Sequence, residues 1–215
     1  MVKVQQSNYL SELTHRTHIM VRLDRIYTRS GDGGMTSTGD GQRVSKLHAR
    51  IVAGGSVDET NCAIGVAISA GTTAELSQVL RELQQFLFDL GADLCVSLPA
   101  DGQPDLLNTR LSSSDAEHLE RLIDRFTERQ APLNSFILPG GTKAAAQLHL
   151  ARSVCRRAEL DVLRMQEAEP LNPAIAICLN RLSDLLFVLA RAANDDGRND
   201  VLWEPRNANC QGERP

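Results

Sequence analysis

The sequence predicts an all-α protein, a five-helix antiparallel bundle led by a glycine-rich N-terminal loop. Three observations carry that expectation. Apolar residues recur at intervals of three and four along about five stretches, three or four of them longer than 20 residues. Such helices are roughly 30 Å long, and helices of matched length pack side by side. Capping residues, glycines and prolines punctuate the ends of these stretches. Little of the chain shows the period of two that a half-buried strand requires.

Residues 1–22 are polar and aperiodic, and are expected to form a loose arm ahead of a single domain at 23–215. Glu12 and His15 form one ExxH unit, which di-iron bundles use twice; with no second copy it is expected to be incidental. From Arg25 to Lys46 the density of Gly, Ser, Thr and Asp argues against any regular element. Successive amides in such a loop can cradle an anion. Neither familiar phosphate motif is present, since Asp40 and Gly41 stand where a Walker A needs Lys and Ser/Thr, and GxGxxG breaks at Thr36. On composition alone, a phosphate cradle and a plain surface loop both remain open.

The first helix is expected to start at Ser56, which has capping-box spacing to Glu59, and to run through Val57, Ile64, Ala67 and Ile68 to a stop at Gly71. That start puts Asp58 and Asn61 on the first turn. The second, from about Thr73 to Val96, buries Leu76, Val79, Leu80, Leu83, Phe86, Leu87, Leu90 and Leu94. After a Pro99–Pro104 loop, Ser114 and Glu117 repeat the capping-box spacing for a helix to about Arg129, with Leu119, Leu122, Ile123 and Phe126 inward and Ala131-Pro132 as its end. Phe136 to Gly141 is a short apolar run closed by turn residues. Thr142 then caps a long helix within Gly140–Arg164. The last helix opens at Asn172-Pro173 and runs to about Asn194, with Ile177, Leu182, Leu185, Leu186 and Leu189 serving the core.

Two helices carry polar stripes. At 100° per residue His149, Arg152, Arg156 and Glu159 share one arc bordered by Leu148, Ala151, Cys155 and Val162. Guanidinium groups embedded in apolar surface need carboxylates from another helix or subunit, or the phosphates of a ligand; an ordinary salt-bridged surface is the plainer alternative. Asn180, Asp184, Arg191 and Asn194 form a second arc, with Phe187 among them. Asp195, Asp196 and Asp200 are expected to form a solvated acidic loop rather than a cation site, and Trp203 to pack the tail onto the bundle.

Composition excludes several classes. A net charge of −4 and an aromatic share of 4% are wrong for a bulk nucleic-acid binder or a base-stacking platform. Cys62, Cys95, Cys155, Cys178 and Cys210 are odd in number, scattered and without a CxxC, which favours buried thiols in a reducing compartment over disulfides or zinc. No run approaches a membrane span and the first residues lack a secretory apolar core, so the cytoplasm is the expected location.

Five blocks carry a resemblance: IYTRSGDGGMTSTGDGQRVSK at 26–46, VDETNCAIG at 57–65, FILPGGT at 136–142, LHLARSVCRRAE at 148–159 and LNRLSDLLFVLARAAN at 179–194. In this order, covering about Ile26 to Trp203, they resemble the PduO-type ATP:cob(I)alamin adenosyltransferases. The resemblance implies a five-helix bundle that assembles as a homotrimer with active sites between subunits. It implies transfer of the 5′-deoxyadenosyl group of ATP to the cobalt of a reduced corrinoid, with release of triphosphate and with Mg²⁺ carried on the ATP phosphates. Thr28, Arg29, Ser30, Gly31, Asp32, Gly34, Thr36 and Lys46 match the nucleotide-wrapping segment, and Arg156, Arg157, Glu159 and Asn180 match nucleotide positions on the helices. Arg152 matches an arginine that pairs across the subunit boundary with the position of Asp58. Phe136 matches the aromatic that packs beneath the corrin and displaces its lower axial base, and Phe187 joins it in the corrinoid site. Arg156, Asp58, Arg152 and Phe136 thus form the implied catalytic set. Implied partners are a corrinoid reductase and an adenosylcobalamin-dependent mutase or dehydratase, with neither nucleic acid nor membrane. Three positions depart from the family pattern: Thr60 replaces a leucine, Leu160 an arginine beside the nucleotide positions, and Gly54 a common aromatic. A corrinoid carrier and a non-catalytic helical module are the competing readings.

Overall fold

A computed structural model describes Tyr27 and residues 29–206. The arm at 1–22, its ExxH unit, Thr28 and Cys210 lie outside the described residues. The chain divides into two compact units, Met1–Gly33 and Gly34–Pro215. In the first, the Arg29 guanidinium lies 5.6 Å over the Tyr27 ring, and the Asp32 amide donates to the Arg29 carbonyl at 3.3 Å.

The second unit opens with a hairpin where the sequence argues against any regular element. Strand β1 (Met35–Ser37) pairs antiparallel with β2 (Arg43–Ser45), Thr36 opposite Val44. Side chains in the turn supply what periodicity does not. The Asp40 carboxylate accepts from the Thr38 hydroxyl and from the Gln42 and Ser97 amides, contacts that hold its pKa well below the usual carboxylate range. The Gly39 amide donates to the Cys95 carbonyl at 2.9 Å. A Cβ at Gly39 would come within 2.8 Å of Val96 Cγ2, so glycine permits this close approach.

Five helices follow, in the order the periodicity anticipates. α1 is Ala49–Ser69, α2 Ala74–Cys95, α3 Ser113–Thr127, α4 Lys143–Ala168 and α5 Pro173–Ala193. Thr142 and Asn172 cap α4 and α5 as expected and Thr73 caps α2, accepting from first-turn amides at 3.1, 3.1 and 3.3 Å respectively. Two starts differ. α1 begins seven residues before Ser56, capped by His48; the low helix propensity of Gly54-Gly55 is overridden by packing against α4. The Ser56 hydroxyl serves that packing, donating to Asp161 of α4 at 2.6 Å. Asp58 and Asn61 therefore sit in the middle of a helix. α3 is capped by Ser112, whose amide donates to the Asp115 carboxylate at 2.8 Å in a capping box two residues ahead of the expected one.

α1 packs on α2 and α4, and α5 on α3, α4 and α2. The short α1–α2 and α4–α5 connections make those packed neighbours antiparallel. Ile64, Leu80, Leu90, Leu119, Leu148, Leu182, Leu185 and Leu189 are fully buried at the centre. Against expectation, α5 is long and apolar enough to cross a membrane by length and composition; 50% of its apolar window is buried inside the bundle, as in a core helix. Ile177 on the same helix is 49% exposed rather than in the core. Leu160 is exposed, and Thr60 is buried with its hydroxyl donating to the Ser56 carbonyl at 2.9 Å.

Two buried charges fasten helix ends. The Asp93 carboxylate, 0% exposed, accepts from Arg110, the Leu111 amide and Asn172 at 2.7, 2.8 and 2.7 Å. Arg50 donates to the Leu94 carbonyl at 2.5 Å and to Glu169 at 2.7 Å. Cys155 and Cys178 are buried as the scattered spacing suggests, whereas Cys62 is exposed.

Candidate active site

Pro139, Gly140 and Gly141 turn the chain into α4, and the residues on either side build a cleft. Residues 135–138 lie antiparallel to 201–203: the Leu138 amide donates to the Val201 carbonyl at 2.8 Å, the Trp203 amide to the Phe136 carbonyl at 2.7 Å, and the Ser135 hydroxyl to the Trp203 carbonyl at 2.7 Å. This pairing leaves Phe136 outward and 77% exposed, with its ring 6.1 Å from that of Trp203. Below, Asn194 ties the corner together. Its side chain accepts from the Thr142 amide at 2.9 Å and donates to Gly140 and Asp200 at 3.2 and 3.0 Å. Gly141 has φ +100°, and a Cβ there would overlap the Asn194 side chain, so glycine is required.

The cleft has a volume of ≈ 750 Å³ and is walled by Phe136, Ile137 and Trp203 on one side and by His149, Arg152, Asp184 and Phe187 from α4 and α5. The Arg152 guanidinium lies 5.5 Å from the Phe187 ring centre, and His149 meets the same ring edge-on at 6.0 Å. Burial pushes the His149 pKa down, Asp200 draws it up and Arg152 lowers it further. One turn and more along α4, Glu159 accepts from Asn180 of α5 at 3.0 Å, and Asn180 accepts from Arg181 at 2.7 Å. The two polar stripes therefore meet where the sequence puts Glu159 and Asn180.

Charge pairing separates the arginines. Arg157 pairs with Glu59 of α1 on an exposed face. Among the described residues neither Arg152 nor Arg156 forms a salt bridge. Asp58 equally forms no salt bridge among the described residues and lies in a different groove, ≈ 460 Å³, between α1 and α2 beside Gly54, Asn61 and Phe88. Arg152 and Asp58 are thus not brought together within one chain. In the hairpin, Thr36 is half-buried and Lys46 exposed, its amide donating to the Gly34 carbonyl at 2.9 Å. Arg29, Ser30, Gly31 and Asp32 belong to the first unit.

The acidic tail corrects the sequence reading. Asp200 is not solvated: its carboxylate, 2% exposed, pairs with buried Arg191 at 2.9 Å. Among the described residues no group of three His, Cys, Asp or Glu side chains converges as a metal cage. Sequence reasoning also missed the pairing of 135–138 with 201–203; the apolar runs FIL and VLW were its trace, too short to reveal a partner.

A family model for cobalamin adenosyltransferase matches residues 26–193. The chain belongs to the cobalamin adenosyltransferase family. It is 46% identical over 188 residues to a corrinoid adenosyltransferase of Mycobacterium tuberculosis, an alignment covering 86% of this chain and 95% of the relative. It is 41% identical to the corrinoid adenosyltransferase PduO of Salmonella typhimurium over 80% of this chain and 50% of that longer protein. A solved variant of a PduO-type ATP:corrinoid adenosyltransferase from Lactobacillus reuteri, complexed with cobalamin and ATP, superposes with a TM-score of 0.77 at 36% identity over 84% of this chain and 97% of that one. The five-helix arrangement of this adenosyltransferase is therefore that of its relatives.

Proposed function

We propose that this adenosyltransferase transfers the 5′-deoxyadenosyl group of ATP to the cobalt of cob(I)alamin, giving adenosylcobalamin and triphosphate, with the corrinoid in the Phe136–Phe187 cleft. One observation carries the placement: an aromatic-walled cleft adjoins a helix face whose two arginines, Arg152 and Arg156, have no salt-bridge partner among the described residues. Family membership supports the reaction.

Cob(I)alamin is itself a strong nucleophile, so the protein's work is placement and electrostatics. The cobalt lone pair forms a bond to C5′ of the ribose, and the C5′–O bond breaks with its electron pair leaving on triphosphate. Arg156 and Lys46 offset the charge that develops there, helped by the Gly34 amide and by Thr36. Glu159, held by Asn180, orients the nucleoside, and Arg157 flanks it. Mg²⁺ would be held through the ATP phosphates, where it would supply charge neutralisation of the leaving group. Phe136, exposed at the cleft mouth, and Phe187 hold apolar surface against the corrin face from which the lower axial base is displaced.

The site is completed by a neighbour: Arg152 pairs with Asp58 of the partner subunit in a homotrimer. That neither has an ion-pair partner among the described residues of its own chain supports this reading. Residues 23–215 act as one adenosyltransferase domain in the cytoplasm, supplied by a corrinoid reductase and serving an adenosylcobalamin-dependent mutase or dehydratase.

An anaerobic absorption assay with ATP, Mg²⁺, cob(II)alamin and a strong reductant tests the function. The expected result is an ATP-dependent spectrum that a flash of light abolishes, as cobalt–carbon bonds are photolabile. Corrinoid binding without that product would make the chain a carrier.

A further inference from the structure

We propose that His149 is a positioning residue that hydrogen-bonds a carboxamide on the rim of the corrin ring, and so fixes the macrocycle's orientation in the cleft. The inference rests on the function proposed above and deepens it. Three buried side-chain atoms lack a hydrogen-bond partner among the described residues: Gln130 Oε1, His149 Nε2 and Glu169 Oε1. Gln130 and Glu169 are each anchored through their other polar atom, to the Val188 carbonyl and to Arg50. His149 differs on both counts, since its imidazole makes no hydrogen bond there and it lines the cleft.

A buried imidazole nitrogen left unpaired costs free energy, which a ligand recovers by completing the bond. The neighbours do not complete it. Phe187 offers only a tilted ring contact with no hydrogen-bonding group, and Arg152 directs its guanidinium over the Phe187 ring. Charge selects the ligand group. The ring is 5% exposed and biased to its neutral form by burial, which with Arg152 outweighs the opposing pull of Asp200, and a neutral imidazole has one donor and one acceptor. A carboxamide matches that pair and carries no charge. An anionic phosphate is better served by the arginines. Corrinoids carry a ring of carboxamide side chains around the flat macrocycle, so a cleft that stacks aromatic rings against the corrin face places its edge groups at this rim.

Steady-state kinetics on His149→Leu and His149→Gln test the inference, using cobalamin and cobinamide, which retains the corrin amides but lacks the nucleotide tail. His149→Leu is expected to raise KM for both corrinoids about tenfold, the loss of one hydrogen bond, with KM for ATP unchanged. His149→Gln, which keeps a donor and an acceptor, is expected to recover most of that loss. The proposal is overturned by wild-type kinetics in both variants, or by a defect confined to cobalamin, which would locate the contact on the nucleotide tail. Equal losses toward ATP and corrinoid with a lowered Tm in both variants would make His149 merely structural and also overturn it. So would nitrogen superhyperfine splitting in the EPR spectrum of bound cob(II)inamide that vanishes in His149→Gln, because the ring would then be a cobalt ligand. A wild-type protein that forms no adenosylated product would overturn the functional reading and this one together; product formation with unaffected variants would sink this one alone.

Discussion

Arg152 and Arg191 occupy neighbouring helices near one cleft, yet their surroundings differ. Arg191 is closed off: its side chain is 8% exposed, pairs with the Asp200 carboxylate at 2.9 Å and donates to the Ala131 carbonyl at 2.9 Å. Arg152 has a ring beneath it and no carboxylate within reach among the described residues. A buried cation paired with a buried carboxylate holds helix ends together; a half-buried one with no such partner is available to a ligand or a second subunit. Residue type alone does not distinguish them.

Arg191→Ala leaves Asp200 buried and unpaired, and is expected to cost about 3–5 kcal/mol of stability by urea denaturation. A loss below about 1 kcal/mol would mean that the network is not what holds the α5 end. On the open side, Arg156→Ala is expected to lower kcat/KM about 10²-fold, roughly 2.7 kcal/mol of transition-state stabilisation, while Tm stays within a few degrees. Unchanged turnover would remove Arg156 from the site.

Gly141→Ala probes the corner between the two regions. Positive φ and overlap with Asn194 are expected to cost about 1–3 kcal/mol in denaturant unfolding, and a neutral result would show that Asn194 swings away freely. pH separates the regions more gently. Because the folded pKa of His149 lies below its ordinary value, the unfolded chain binds the extra proton first. The contribution of His149 to stability is therefore complete above about 6.5 and lost as pH falls through the lowered folded value. A Tm series from pH 8 to 5 should fall more steeply for the wild type than for His149→Leu; parallel curves would refute the assignment. The smallest effect is chemical. Burial raises the Cys155 thiol pKa and pushes that of Cys178 up to about 12, so iodoacetamide at pH 8 should label exposed Cys62 well before either. Equal labelling of the native protein would show the α4–α5 core to be open.

Much of this architecture was legible from local chemistry. Thr142 and Asn172 cap where the sequence places them, because an N-cap needs only a side-chain oxygen and amides two or three residues on. The arc containing His149, Arg152, Arg156 and Glu159 was equally legible, since helical period fixes which residues share a face. The pairing of Glu159 with Asn180 was prepared on both helices, and packing only had to align them. Readings failed where the determining partner is distant in the chain. Ser56 looks like a cap, but Asp161 claims its hydroxyl; Asp200 looks solvated, but Arg191 buries it.

By itself, the sequence determined five helices, the caps of the last two and two polar stripes, because these depend on periodicity and on contacts within one helical turn. Only the tertiary structure decided that α1 starts before Gly54, that residues 35–45 form a hairpin, and that 135–138 pair with 201–203 to wall a cleft. It also decided which arginines are closed and which stay open. Each of these outcomes depends on groups far apart in the chain satisfying one another, and residue spacing carries no information about which distant group arrives.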